Sequence, residues 1–169
     1  MKKQNNIYNE NGLIIISKGK SYQCLFDKQD NDLIKQYHWF LYCRGYATTK
    51  IKRCNGFKLV MMHRLLLGLN DPNINGDHIN HNRLDNRRCN IRICTPQQNQ
   101  KNRVPKGKSK YMGVTLYFTK YGKARWIARI YIDGKQHHLG TFDQEARAAK
   151  MYDSVAKKIH GEFANLNFK

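Results

Sequence analysis

At 169 residues and 40% hydrophobic content, the chain has room for one ordinary domain or two small ones with packed cores. Thirty-one Lys and Arg against twelve Asp and Glu leave a formal net charge of +19. Such an excess repels itself unless a polyanion compensates it, and nucleic acid is the expected partner. No stretch approaches the roughly 20 apolar residues of a membrane span, and Met1-Lys2-Lys3-Gln4 opens no apolar signal region. No basic helix with a bulky apolar face is visible, so no membrane partner is expected and the location expected is intracellular, in the cytoplasm.

Residues 1–60 read as strand-rich. Short apolar or alternating runs lie around 13–17, 22–26, 39–48 and 57–60, and Asn11-Gly12, Arg44-Gly45 and Asn55-Gly56 supply turns. Residues 30–37 suit one short helix. Residues 61–103 change texture. A short helix with an apolar side is expected over 61–69, and Asn, Asp, His and Arg are then dense from Asn70 to Asn102. The five cysteines are odd in number with no C-x-x-C, so they read as reduced thiols rather than zinc ligands or a disulfide framework.

Within that polar stretch, Gly76-Asp77-His78-Ile79-Asn80 is followed twelve residues after His78 by Asn90, and nine further on by Asn99. The expected order is strand 77–80, loop, strand 90–93, helix 96–102. Thr95 is placed to cap that helix, with Pro96 at its first position and Gln98 completing a capping box. Phosphodiester hydrolysis needs an activated water, charge stabilisation at the phosphate and help for the leaving oxygen. Imidazole titrates near neutrality, so His78 can take a proton from water. Asp77 and Asn99 offer oxygen ligands to a hard cation such as Mg²⁺. Asn90 can hold the His78 ring by hydrogen bonding or shape the loop. Arg83, Arg87, Arg88 and Arg92 lie close in sequence to this site and are expected to clamp phosphates. His63 is left between a structural and a phosphate-contacting role.

These residues resemble a known family. Asp77-His78-Ile79-Asn80, Leu84-Asp85-Asn86-Arg87, Asn90-Ile91-Arg92, Gln98-Asn99 with Asn102, and the upstream Met62-His63-Arg64-Leu65-Leu66 are similar to the HNH nucleases, in the H-N-N form of phage and intron-encoded homing endonucleases. The resemblance implies a ββα-metal module in which His78 is the general base and Asp77 and Asn99 hold the metal. The last motif position is Asn rather than His, which favours Mg²⁺ or Mn²⁺ over a transition metal.

Residues 104–110 read as a basic linker containing Pro and Gly. Beyond it, strands are expected over 113–118, 125–132 and 136–141, with Asp133-Gly134 as a tight turn. Asp143 is placed to cap a helix reaching His160, with Gly161 just beyond it. On the middle strand Trp126, Ala128, Ile130 and Ile132 should face the helix, and Arg125, Ile127, Arg129 and Tyr131 should face away. A sheet face of that kind suits the major groove. Tyr111-Met112-Gly113-Val114, Trp126-Ile127-Ala128-Arg129-Ile130, Leu139-Gly140-Thr141-Phe142, Glu145-Ala146, Tyr152-Asp153 and Ala164-Asn165-Leu166-Asn167-Phe168 resemble the AP2/ERF domain. By position, the resemblance implies Thr115, Tyr117, Arg125, Arg129, Tyr131, Gln136 and His138 as DNA readers. Plant-type members carry Arg at the positions of Met112, Thr115 and Tyr117, so base preference does not transfer.

The expected architecture is therefore α+β. A strand-rich region (1–60) precedes a ββα-metal HNH module (61–103). The basic linker (104–110) then leads to a three-stranded antiparallel sheet packed on one helix (111–169). The expected activity is metal-dependent cleavage of double-stranded DNA by a monomer, at a recognised sequence. A DNA-binding regulator with an inactive nuclease module and a non-specific HNH nuclease are the alternatives.

Overall fold

The computed structural model describes residues 6–9, 12–102 and 109–168. The protein is α+β, made of several small antiparallel sheets with few helices. Its contacts divide it into two units, Met1–Pro96 and Gln97–Lys169. Among the described residues, no helix is long and apolar enough to cross a membrane.

The first unit opens with β1 (Ile7–Asn9), β2 (Gly12–Ser17) and β3 (Lys20–Leu25), which form one meander. Alternation in β2 sends Leu13 and Ile15 into the core, where they are almost completely buried. A 3₁₀ turn over Lys28–Asp30 leads into α1 (Asn31–Lys35), where the sequence suggests a single helix. A second sheet follows, β4 (Phe40–Leu41), β5 (Ala47–Arg53) and β6 (Gly56–Met61), paired in that order. The apolar run 39–48 is thus not one strand. It is broken by a 3₁₀ turn, Cys43–Gly45, in which Arg44 takes φ +63°. α2 (Met62–Leu66) then leads to β7 (Asn75–His78), which pairs antiparallel with β8 (Ile91–Cys94). Leu13, Ile15, Cys24, Phe26, Ile34, Trp39, Ala47, Met62, Leu66 and Ile91 pack into one core. The loop between β7 and β8 is stitched onto the end of β3. Leu25 N donates to Leu84 O at 2.7 Å, and Asn86 N donates to Leu25 O at 2.8 Å.

α3 (Pro96–Lys101) begins at the division between the units and belongs, from Gln97, to the second. The expected linker 104–110 lies outside the described residues except for Ser109 and Lys110. Ser109 is buried, and its hydroxyl donates to Glu145 at 2.8 Å, so residue 109 is already packed against α4 rather than free as a linker.

The rest of the second unit is a sheet ordered β11–β10–β9, from β9 (Val114–Phe118), β10 (Ala124–Ile132) and β11 (Lys135–Phe142), packed on α4 (Glu145–His160). Trp126, Ala128, Ile130 and Ile132 lie with Val114, Leu139, Ala148, Ala149, Tyr152 and Ala156 in the core between sheet and helix. Asp143 does not cap α4. Gln144 holds the cap position without a side-chain bond, and Asp143 instead accepts from Arg125 at 2.6 Å. The C-terminal segment is pinned by Asn167, whose Oδ1 accepts from Met112 N at 2.6 Å while its own N–H donates to Asp153.

Candidate functional site

Asp77 and His78 end β7 and are both buried, at 7% and 5% exposure. Asp77 faces Arg92 across the hairpin, and the guanidinium donates to Asp77 Oδ2 from Nη2 at 2.9 Å and from Nε at 3.1 Å. The His78 ring sits edge-on to His63 at 4.8 Å between centroids, with the Tyr46 ring 6.0 Å away. His63 is supplied by α2 and is itself 4% exposed, so of the two roles open to it the structural one is what the fold displays. Burial pushes His63 down to about 3, and the neighbouring His78 and Arg64 add to that. Burial also lowers His78, against a hydrogen bond to Asn86 and the charges of Asp77 and Asp85, while the Arg83 charge adds to the lowering. Both rings are therefore neutral at physiological pH, the state a general base requires.

The residue on the His78 ring is Asn86, which the sequence did not single out. Its Oδ1 lies 3.2 Å from His78 Nε2, and it is 1% exposed. An amide oxygen can only accept, so this contact is a hydrogen bond when Nε2 carries the ring proton. Asn90 serves the second of its expected roles. Its Oδ1 accepts from Asn80 N at 3.0 Å and its Nδ2 donates to Asp85 O at 2.7 Å, which fixes the loop's curvature.

The four arginines are differently placed. Arg87 makes a two-pronged contact with buried Asp85, at 2.8 and 2.7 Å, and thereby holds that carboxyl below the usual range. Arg88 makes a similar two-pronged contact with buried Asp30, at 3.1 and 2.7 Å, and its backbone N–H donates to Asp27. Arg92 is on Asp77. Arg83 lies over the Tyr46 ring at 5.0 Å, and its Nη1 donates to Arg44 O. Arg87 and Arg88 keep nearly half of their side chains open to solvent, whereas Arg92 is mostly covered. Charge-assisted pairs between neighbours in sequence and partners distant in sequence were not readable from a run of basic residues.

Asp77 offers a carboxylate and Asn99, half-buried on α3, an amide oxygen. Both are hard donors of the kind Mg²⁺ and Mn²⁺ accept, with water and substrate oxygens filling the remaining positions. Among the described residues no group of three or more His, Cys, Asp or Glu comes together as a metal nest. Taken singly, each donor is of a type that suits a hard cation rather than a soft metal.

In the second unit all seven expected readers fall on one sheet face. Thr115 and Tyr117 pair with Ile127 and Arg125, while Arg129 and Tyr131 pair with His138 and Gln136. The face is wired internally. Gln136 Nε2 donates to Tyr131 Oη at 2.9 Å, and His138 Nε2 lies 3.2 Å from Thr141 Oγ1. Thr141 joins the face because β11 shifts register opposite Ala128 and Arg129. That shift carries no signal in the alternation of β10.

No protein-family model matches the chain. It is 27% identical over 158 residues to an uncharacterised HNH endonuclease of Acanthamoeba polyphaga mimivirus, covering 90% of this chain and 79% of that protein. It is 43% identical over 67 residues to an AP2-like ethylene-responsive transcription factor of Arabidopsis thaliana, covering 39% of this chain. The identity is also 43% over 60 residues to an APETALA2-like protein of Oryza sativa subsp. indica. The chain spans 13% of each plant protein. The viral relative is named as a nuclease and the Arabidopsis relative as an AP2-like transcription factor.

Proposed function

We propose that this chain is a metal-dependent DNA endonuclease of the homing type, with His78 as general base on the water and the AP2-like unit supplying much of the sequence recognition. The observation that carries the reading is the state of His78. It is a buried imidazole at the end of β7, its pKa lowered by burial, with Nε2 3.2 Å from Asn86 Oδ1 and a buried carboxylate immediately beside it in sequence. The viral relative named as an HNH endonuclease supports it.

In this reading Asp77 and Asn99 hold one Mg²⁺ or Mn²⁺, completing a ββα-metal arrangement from β7, β8 and α3. The ion, when bound, polarises the phosphate and stabilises the leaving oxygen. The protein's own residues do the rest. His78 Nδ1 takes the water proton. Asn90 keeps the loop in shape. Arg92 holds the Asp77 carboxylate in one orientation. Arg83 and the open sides of Arg87 and Arg88 contact phosphates flanking the cut. Thr115, Tyr117, Arg125, Arg129, Tyr131, Gln136 and His138 present the reading face to the major groove of double-stranded DNA.

The test is incubation of the full chain with long duplex DNA containing the natural site, with Mg²⁺ or with chelator, beside a His78→Ala variant. Discrete Mg²⁺-dependent products that vanish in the variant are expected. An uncut substrate would refute the nuclease assignment, and a smear would replace sequence recognition with indiscriminate cleavage.

A further inference from the structure

The core of the first unit contains a polar thread that the reaction outlined above does not use. Met62, Cys24 and Asn86 are all buried, at 0%, 0% and 1% exposure, and they lead from α2 through β3 to the His78 ring. Cys24 Sγ lies 3.6 Å from Met62 Sδ, Asn86 Nδ2 lies 3.2 Å from Cys24 Sγ, and Asn86 Oδ1 lies 3.2 Å from His78 Nε2. The Asn86 backbone is fixed as well, by its bond to Leu25 O at 2.8 Å.

The chemistry of the far end decides the direction of every link. A thioether sulfur has no proton and can only accept. Burial pushes the Cys24 thiol up to about 12, so its proton stays on. The S–H can therefore satisfy Met62, which leaves the Cys24 sulfur lone pairs to accept from the Asn86 amide nitrogen. That turns Asn86 Oδ1 to the ring and calls for a donor at His78 Nε2. Run the other way, with Cys24 donating to Asn86 and Asn86 donating to the ring, the thread keeps two hydrogen bonds and loses the one to Met62. The forward direction keeps three, and in a buried site the lost bond is not replaced by water.

We propose that Met62, Cys24 and Asn86 form a one-way hydrogen-bond thread that fixes the tautomer of His78, keeping its proton on Nε2 and its lone pair on Nδ1. Asn86 is the positioning residue and Cys24 and Met62 set its amide orientation. The proposal deepens the reading of His78 as the base and rests on it only for its catalytic consequence. The hydrogen-bond polarity itself stands on the geometry.

The experiment reads the tautomer directly. The full chain, labelled with ¹⁵N at histidine, is studied by long-range ¹H–¹⁵N correlation at neutral pH, with the His78 signals assigned by their loss in His78→Gln. The wild type should show a protonated Nε2 and an unprotonated Nδ1. Cys24→Ser keeps a donor for Met62 and an acceptor for Asn86, and should retain that pattern. Met62→Leu, close to isosteric, makes both directions equal at two bonds and should give a mixture of tautomers. Asn86→Leu should lose the fixed pattern altogether. With DNA, kcat should fall severalfold in Met62→Leu and at least about tenfold in Asn86→Leu, within the range a positioned base contributes, while KM stays near the wild-type value. A proton on Nδ1 in the wild type would overturn the proposal. So would an unchanged Nε2–H pattern in both Met62→Leu and Asn86→Leu. The expected tautomers in a protein that cuts no DNA would support the thread and remove the nuclease assignment.

Discussion

Between His63 and Gly76 there is no space for a methyl group. A Cβ at residue 76 would stand 2.5 Å from His63 Cδ2 and 3.3 Å from a Leu67 methyl. The glycine lets β7 pass against α2 closely enough for the His63 and His78 rings to meet. Gly76→Ala should therefore cost about 1–3 kcal/mol through overpacking, measured as a drop in chemical-denaturation midpoint with an unchanged m-value. His63 has a pH signature of its own. Its folded-state pKa, about 3, lies below the unfolded value near 6.5. The unfolded chain thus binds the proton first as pH falls. Stability from this group is complete above about pH 6.5 and drains by about 1.4 kcal/mol per unit toward pH 3. His63→Gln should flatten the acid side of the stability–pH curve across that window by up to one proton. An identical slope in the two proteins would show that His63 is not held neutral.

At the scale of elements, the register shift in β11 is the most consequential departure from simple alternation. Arg129 pairs with His138 and Ala128 with Gly140, so Leu139 is the extra residue. The shift lets Leu139 and Phe142 both reach the core while His138 and Thr141 both reach the opposite face. Gly140 makes it possible by adopting φ +138°, and a Cβ there would press on the Phe142 ring at 3.0 Å. Gly140→Ala should destabilise the second unit by roughly 1–2 kcal/mol and weaken DNA binding, read by thermal melting and by titration with duplex DNA. A variant that keeps both would show that the face does not depend on the shift. The elements themselves were largely legible. Alternating Leu13 and Ile15, the helical spacing of Ala148, Tyr152 and Ala156, and the Asp133-Gly134 turn all report local geometry, which sequence encodes directly. Asp143 was misread as a cap because capping residues are identified by position alone, and here Arg125 from a neighbouring strand competes for the same carboxylate.

Across the whole molecule, the +19 charge is not simply a surface for polyanions. In the first unit three arginines spend their donors on buried carboxylates, Asp30, Asp77 and Asp85. Removing one partner of such a pair strands the other charge away from water. The remaining cations should still dominate affinity. Log K for duplex DNA should fall linearly with log salt, by a thousandfold or more between about 50 and 200 mM if six or more phosphates are contacted. A flat salt response would sink the backbone-contact view. Asp77, His78 and Asn90 stand out in sequence because β7, its loop and the start of β8 follow one another at short spacings. Asn86 lies in the Leu84-Asp85-Asn86-Arg87 motif, but its contact with the ring could not be read, because its partners include Cys24, sixty-two positions away, and only the fold brings them together. The same stitching of the β7–β8 loop onto Leu25 bears on how such a gene can be rearranged. The stretch from 61 to 103 has the look of a portable cassette, yet its loop shares hydrogen bonds with β3 and its Arg88 pairs with Asp30. A recombination breakpoint near residue 60 would hand a new host the motif without its scaffold, so heritable exchange of the motif must move the strands upstream along with it.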